Sequence, residues 1–232
     1  MKRILVFFTV LLLINMSSCG DNNRLSLVCD KDSVDSFLDA AGNIYGEGLL
    51  SGMSFTEENI YNVTPKEVSD VTDIKIFKAS DSCASYVLID DGIYPICEYF
   101  GGYGFVNAVP CDFDGDGNID LLVASSFGSG LHRSVISVFN TVTKESTVIY
   151  DTSDTDAPEI DLFVAAKKFL SLKSDSEFPV CYDVYSVDIN ADHNNMADLS
   201  GEMIKIVGTV ECEDGAVVFK PNAVATTSPS DS

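Results

Sequence analysis

Tryptophan is absent from the 232 residues, and histidine occurs only at His132 and His193. The first absence removes a side chain on which sugar-binding platforms often rest. The second leaves little for general-base or zinc chemistry, and neither a His-Glu-x-x-His helix nor a Gly-x-Ser-x-Gly elbow is present. A Ser/His/Asp triad cannot be assembled from spacing alone, and a carboxylate pair is uninformative among 36 acids. No catalytic residue is assigned. Basic residues are few, 14 Lys and Arg against 36 Asp and Glu, for a formal net charge of −22. Such a surface repels nucleic acid and anionic lipid, which excludes a nucleic-acid partner, and it favours divalent cations. Seven cysteines contain no Cys-x-x-Cys pair, which argues against zinc ribbons and thioredoxin-like redox motifs. Against these absences stand an apolar fraction of 46%, 14 Phe and 9 Tyr, which describe a folded core under an acidic skin.

The chain opens with Lys2 and Arg3, an apolar run from Ile4 to Ile14, and Ser17 and Ser18. About 11 apolar residues fall short of the ~20 needed to span a bilayer, so this is an export signal and not an anchor. Met16-Ser17-Ser18-Cys19 resembles the bacterial lipobox, where cleavage precedes a cysteine whose thiol has been acylated. The resemblance implies a signal peptide over 1–18, a lipid on Cys19, a tether over 19–32, and attachment to a membrane of the bacterial cell envelope, at the outer surface or in the periplasm. Ordinary cleavage near Ser18, leaving Cys19 a plain thiol, is the alternative. With Cys19 set aside, six cysteines remain. They suit up to three disulfides in an oxidising compartment, or buried thiols.

Ser33 starts a short helix with apolar residues at Val34, Phe37, Leu38 and Ala41, stopped by Gly42. Residues 65–71 read as one further helical turn. From there the period changes to two. Residues 73–79, 85–90, 92–100, 119–125, 134–140 and 146–151 read as strands of a meander, with Pro95 marking an edge or bulged strand. After an acidic, Pro-containing loop at 151–159, a second β block covers 161–170, 178–189 and 203–220, the last a hairpin turned at Asp214-Gly215. The small, polar composition of 222–232 describes a disordered tail. The expected fold is a mainly-β, antiparallel meander over 33–221, propeller-like or sandwich-like, with one short N-terminal helix.

Within the meander, Asp112, Asp114, Asp116, Asn118 and Asp120 stand at strict two-residue spacing, eased by Gly115 and Gly117, and an apolar strand follows at once. A turn with an oxygen donor at every second residue suits Ca²⁺, a hard cation that takes six to eight oxygens. An EF-hand is excluded because Val123 occupies the place of its bidentate Glu and a strand replaces the following helix. The pattern resembles the FG-GAP repeat of integrin-type β-propellers and their bacterial relatives. Tyr103-Gly104 stands for Phe-Gly, the loop matches at each metal position, Leu121 follows as the repeat requires, and Ala124-Ser125-Ser126 is a degenerate Gly-Ala-Pro. The resemblance covers about 40 residues, from 100 to 140. It implies Ca²⁺ held by the side chains of Asp112, Asp114, Asp116 and Asp120 and by the Asn118 carbonyl.

A second candidate loop, over 187–198, places Asp188, Asn190, Asp192 and Asp198 in a similar series, with the closing acid late and no glycine in the turn. A plain polar loop is its alternative. His132 and Arg133 form a candidate interaction loop beside the calcium strand; alternatively Arg133 reaches back to a carboxylate such as Asp120. Together these readings describe an exported calcium-binding lipoprotein that acts as a binding module for a protein or glycan ligand. The alternatives are a calcium-stabilised envelope hydrolase and a purely architectural envelope protein. Replacing Cys19→Ala should abolish incorporation of radiolabelled palmitate and release the protein into the soluble fraction; persistent labelling would remove the lipobox reading.

Overall fold

The computed structural model describes residues 24–27, 34–44, 55–80, 84–97, 101–128, 133–152, 161–166, 181–192, 195–213 and 216–222. The expected signal peptide, Cys19 and the expected tail beyond Asn222 lie outside the described residues. Helix α1 spans Val34–Ile44 and α2 spans Lys66–Ser69, the latter being the turn expected at 65–71. α1 runs through Gly42 where a stop was expected. One glycine costs a helix only about 1 kcal/mol, and the burial of Val34, Phe37 and Ala41 on the same helix offsets that cost.

The strands form three antiparallel sheets, as the mainly-β expectation required. The N-terminal sheet holds β2 (Ile60–Asn62), β3 (Lys75–Ala79), β4 (Ser85–Ile89) and β5 (Gly92–Cys97) in chain order. Pro95 lies on its edge strand, beside a bulge: Ser85 faces Cys97 while Tyr86 faces Pro95. The central sheet holds β6 (Gly104–Cys111), β7 (Asp120–Phe127), β8 (Arg133–Asn140) and β9 (Glu145–Asp151), again in chain order. The C-terminal sheet holds β10 (Asp161–Ala166), β11 (Cys181–Asp192), β12 (Asn195–Glu213) and β13 (Ala216–Pro221). β1 (Arg24–Leu27), expected within the tether, is added to that sheet by pairing Arg24 with Glu202 and Leu27 with Leu199 of β12. Four residues are too short a run to stand out by periodicity.

The sheets stack face to face with α1 outermost. Phe37 of α1 packs with Phe77 and Tyr86 on one face of the N-terminal sheet. Ile76 and Val87 on the opposite face meet Phe105, Leu121, Val123 and Phe139 of the central sheet. The other face of the central sheet, with Leu122, Ala124, Ile136 and Val138, meets Leu162, Val164 and Val184 of the C-terminal sheet. β7 is therefore apolar on both faces, which explains why its sequence is a continuous run and not an alternation.

β6 was not expected, because a bulge interrupts its alternation. Phe105 pairs with Ser125 and Asn107 with Ala124, which leaves Val106 as the extra residue. Val106 joins the cluster facing the C-terminal sheet, and Asn107 points the same way. The buried Asn107 amide donates to the Val164 carbonyl at 2.7 Å and accepts the Val164 N–H at 3.1 Å, stitching β6 to β10. Tyr182 adds a second stitch, donating its hydroxyl to the Pro110 carbonyl at 2.9 Å. Burial first, then the neighbouring Cys111, Asp112 and Cys181, pushes that phenol far above its ordinary range, so it remains a neutral donor. Cys97, Cys111 and Cys181 are buried thiols. The remaining disulfide expectations fall on Cys29 and Cys83, outside the described residues, and on Cys212, of which the backbone alone is described.

Asn107→Ala would leave two buried backbone groups of Val164 without partners, at about 1–3 kcal/mol each. Urea unfolding should show a loss of about 2–6 kcal/mol with an unchanged m-value. A midpoint equal to that of the parent would remove Asn107 as the stitch.

Candidate metal centre

Residues Asp112 to Ile119 close the hairpin between β6 and β7, where Cys111 pairs with Asp120. The loop thus springs from the strands packed at the middle of the stack. Gly115 and Gly117 adopt φ of 74° and 83°. A Cβ at either would meet nothing within 4 Å, so glycine is required there by conformation and not by space.

The carboxylates curl the loop through its own N–H groups. Asp112 Oδ1 accepts from Gly115 at 2.9 Å and its Oδ2 from Gly117 at 3.2 Å. Asp114 Oδ1 accepts from the Asp116 N–H at 3.2 Å. Asp116 takes both the backbone N–H and the side-chain amide of Asn118, at 2.7 and 2.8 Å. These Asn118 bonds, the side-chain one first, hold the Asp116 carboxyl below its ordinary value. The result brings one carboxylate oxygen from each of Asp112, Asp114 and Asp116 within 4.8 Å of one another. Two ligands of one Ca²⁺ at 2.3–2.6 Å can be at most about 5 Å apart, a limit that the three oxygens meet. An all-oxygen donor set matches a hard divalent cation rather than zinc or copper.

A neighbouring turn supports this loop. Asn140, at the end of β8, donates its side-chain amide to Asp114 Oδ2 at 2.9 Å, while its Oδ1 accepts from Val142 and Thr143 at 2.9 and 2.8 Å. Thr141 donates its N–H to Asp120 Oδ1 at 2.9 Å and its hydroxyl to the Ile119 carbonyl at 2.6 Å. Asp120 itself is fully buried. Burial pushes its carboxyl up, opposed by the N–H groups of Thr141 and Phe113 and reinforced by the charges of Asp114 and Asp116. Asp120, expected among the ligands, stands outside the group of three and faces the β8–β9 turn. Asn118, whose carbonyl is the expected ligand, fixes Asp116 through its backbone N–H and side-chain amide.

The second series is not a loop. Asp188, Asn190 and Asp192 lie on β11, with Asp188 paired to Glu202 and Asn190 to Ser200, and Asp198 lies on β12. The two-residue spacing there is that of one strand face, with Asp188 and Asn190 exposed and Ile189 buried between them. Without glycine the chain stays extended, and the four residues are spread along a hairpin. His132 lies outside the described residues. Arg133 pairs with Phe127 at the far end of β7 from Asp120. Seven residues of strand separate Phe127 from Asp120, roughly 23 Å at ~3.3 Å per residue, so the expected Arg133–Asp120 contact is not made.

No family model, curated protein or solved structure matches the chain. Asn140 and Thr141 were missed by sequence reasoning. They follow an apolar strand as ordinary turn residues, and only the pairing of β7 with β8 brings them to the acidic loop. The one available signal was a polar pair ending a strand at the same end of the sheet as the loop.

Gly117→Ala should destabilise the protein by about 1 kcal/mol through its left-handed backbone alone. Thermal melting in EDTA measures this, and an unchanged midpoint would mean that the loop relaxes without the positive φ.

Proposed function

We propose that this chain is an extracytoplasmic calcium-binding lipoprotein, a surface or periplasmic module for a protein or glycan ligand, with Ca²⁺ in a mainly structural role. The observation that carries the reading is the convergence of one oxygen each from Asp112, Asp114 and Asp116 within 4.8 Å, in a loop curled by its own carboxylates. The FG-GAP resemblance would add Asp120 and the Asn118 carbonyl to these three. Two four-stranded meanders stacked with a five-stranded sheet are compatible with blade-like packing. The cation would offset the mutual repulsion of the clustered carboxylates and hold the β6–β7 loop in one shape. Lipid attachment through Cys19 would fix the module to a membrane, its acidic surface facing solution.

A calcium-stabilised hydrolase would need a catalytic group beside the loop. Arg133, the described member of the His132–Arg133 pair, stands at the opposite end of β7, which favours the binding reading.

The test is thermal melting in excess EDTA and then across a Ca²⁺ series. At 100 times the dissociation constant, Ca²⁺ bound only to the native state adds about 2.7 kcal/mol. For a chain of this size that is a rise of roughly 5–10 °C. Asp112→Ala combined with Asp116→Ala should abolish the rise; an equal rise in that variant would sink the assignment.

A further inference from the structure

Three contacts continue outward from the loop, and none of them is explained by closing a hairpin. Asn140 reaches Asp114 from the β8–β9 turn, and the same turn places Thr141 on Asp120. Three residues beyond Thr141, Lys144 extends its amine to Asp90 at 2.8 Å, at the tip of the β4–β5 hairpin in the neighbouring sheet. The amine also lies over the Tyr94 ring, 5.7 Å from its centre. Tyr94 in turn sits against Phe139, the residue before Asn140, with ring centres 6.3 Å apart. Lys144 holds φ of 63°, and Asp90 and Asp91 hold 52° and 60°, so both tips use left-handed backbone at non-glycine residues. The Lys144 side chain is 21% exposed while that of Asp90 is 78% exposed. An ion pair so open to water contributes little stability of its own. Its effect is positional: it fixes one hairpin tip against another.

We infer that the Asn140–Lys144 turn is a coupling element that transmits occupancy of the acidic loop to the β4–β5 hairpin of the adjacent sheet. The inference rests on the calcium reading proposed above and adds what the cation would control. A carboxylate has two oxygens, so Asp114 can accept from Asn140 with one and face a cation with the other. Fixing Asp114 and Asp120 fixes the two residues that open the turn. The turn then presents Lys144 to Asp90 and Tyr94 in a single arrangement. Emptying the loop frees Asp114, removes the anchor on the Asn140 amide, and loosens the clasp between the tips. The consequence is a calcium-dependent surface: the relative setting of two hairpin tips on one rim of the stack follows the metal.

Hydrogen exchange read by mass spectrometry tests this, with Ca²⁺ alone as the probe against EDTA. Three peptides report separately: 110–121 for the loop, 138–146 for the turn and 86–94 for the β4–β5 tip. In the parent, Ca²⁺ should slow exchange in all three. In Lys144→Gly, whose backbone accepts the positive φ, protection should persist in the first two and vanish in the third. Asp90→Asn, which keeps a residue tolerant of left-handed backbone, should behave in the same way. Asn140→Ala should weaken Ca²⁺ affinity about tenfold, as loss of a ligand-orienting partner does. Protection of 110–121 with no change at 86–94 in the parent would overturn the coupling and leave the calcium site standing. No Ca²⁺ effect at 110–121 would overturn both.

Discussion

β7 has no solvent side. Leu121 and Val123 pack toward the N-terminal sheet and Leu122 and Ala124 toward the C-terminal sheet, so the whole stack is assembled around a strand that must be apolar in both directions. Burial of this kind is the main favourable term in folding, at roughly 25 cal/mol per Å² of apolar surface. It also dictates where polar chemistry can stand. A strand covered on both faces offers water only its ends, and the acidic residues of this region gather there, in the loop before Asp120. Two of the polar groups that enter the middle are paired across layers. Asn107 satisfies both backbone groups of Val164, and Tyr182 satisfies the Pro110 carbonyl.

The same constraint gives the acidic loop its precision. A loop on mobile strands would let its carboxylates drift apart under their own repulsion. Here the loop begins and ends on the paired residues Cys111 and Asp120, both buried. Asp120 marks the change from core to rim: its backbone belongs to the central sheet, and its carboxylate holds the Thr141 N–H of the adjacent turn. Ionising a buried carboxylate is costly, and clustered acids add to that cost.

Much of this was legible from residues alone. The strand runs at 73–79, 85–90, 134–140 and 146–151 each carried enough apolar and β-branched residues to be seen, and Pro95 announced its edge strand with its bulge. β6 was not legible because the Val106 bulge puts two successive residues on one face, which erases the period-two signal where it is needed. β1 was not legible because pairing with the distant β12, and not its own four residues, makes it a strand. The acidic loop was legible as a metal candidate, whereas its supports Asn140 and Thr141 were not. Their role depends on which strand ends meet, and that is set by register rather than by sequence spacing.

The likeness of the Asp188, Asn190 and Asp192 series to a wrapped loop has a physical cause that applies beyond this chain. Carboxylates at every second residue line one face of an extended strand as naturally as they line the inside of a wrapped loop, since both repeat every two residues. Spacing cannot separate the two cases. Glycine can, because wrapping requires backbone in the left-handed region that residues with a Cβ avoid. Between Asp112 and Asp120 two glycines supply it, at Gly115 and Gly117, and the carboxylates converge. From Asp188 to Asp198 there is none, so β11 runs extended to Asp192 and Asp188 faces Glu202 across the hairpin. An acid directly opposite another acid on a strand pair repels it. Acidity at that hairpin therefore works against its own sheet, whereas in the loop before β7 the same residue type converges, with three carboxylate oxygens within 4.8 Å of one another.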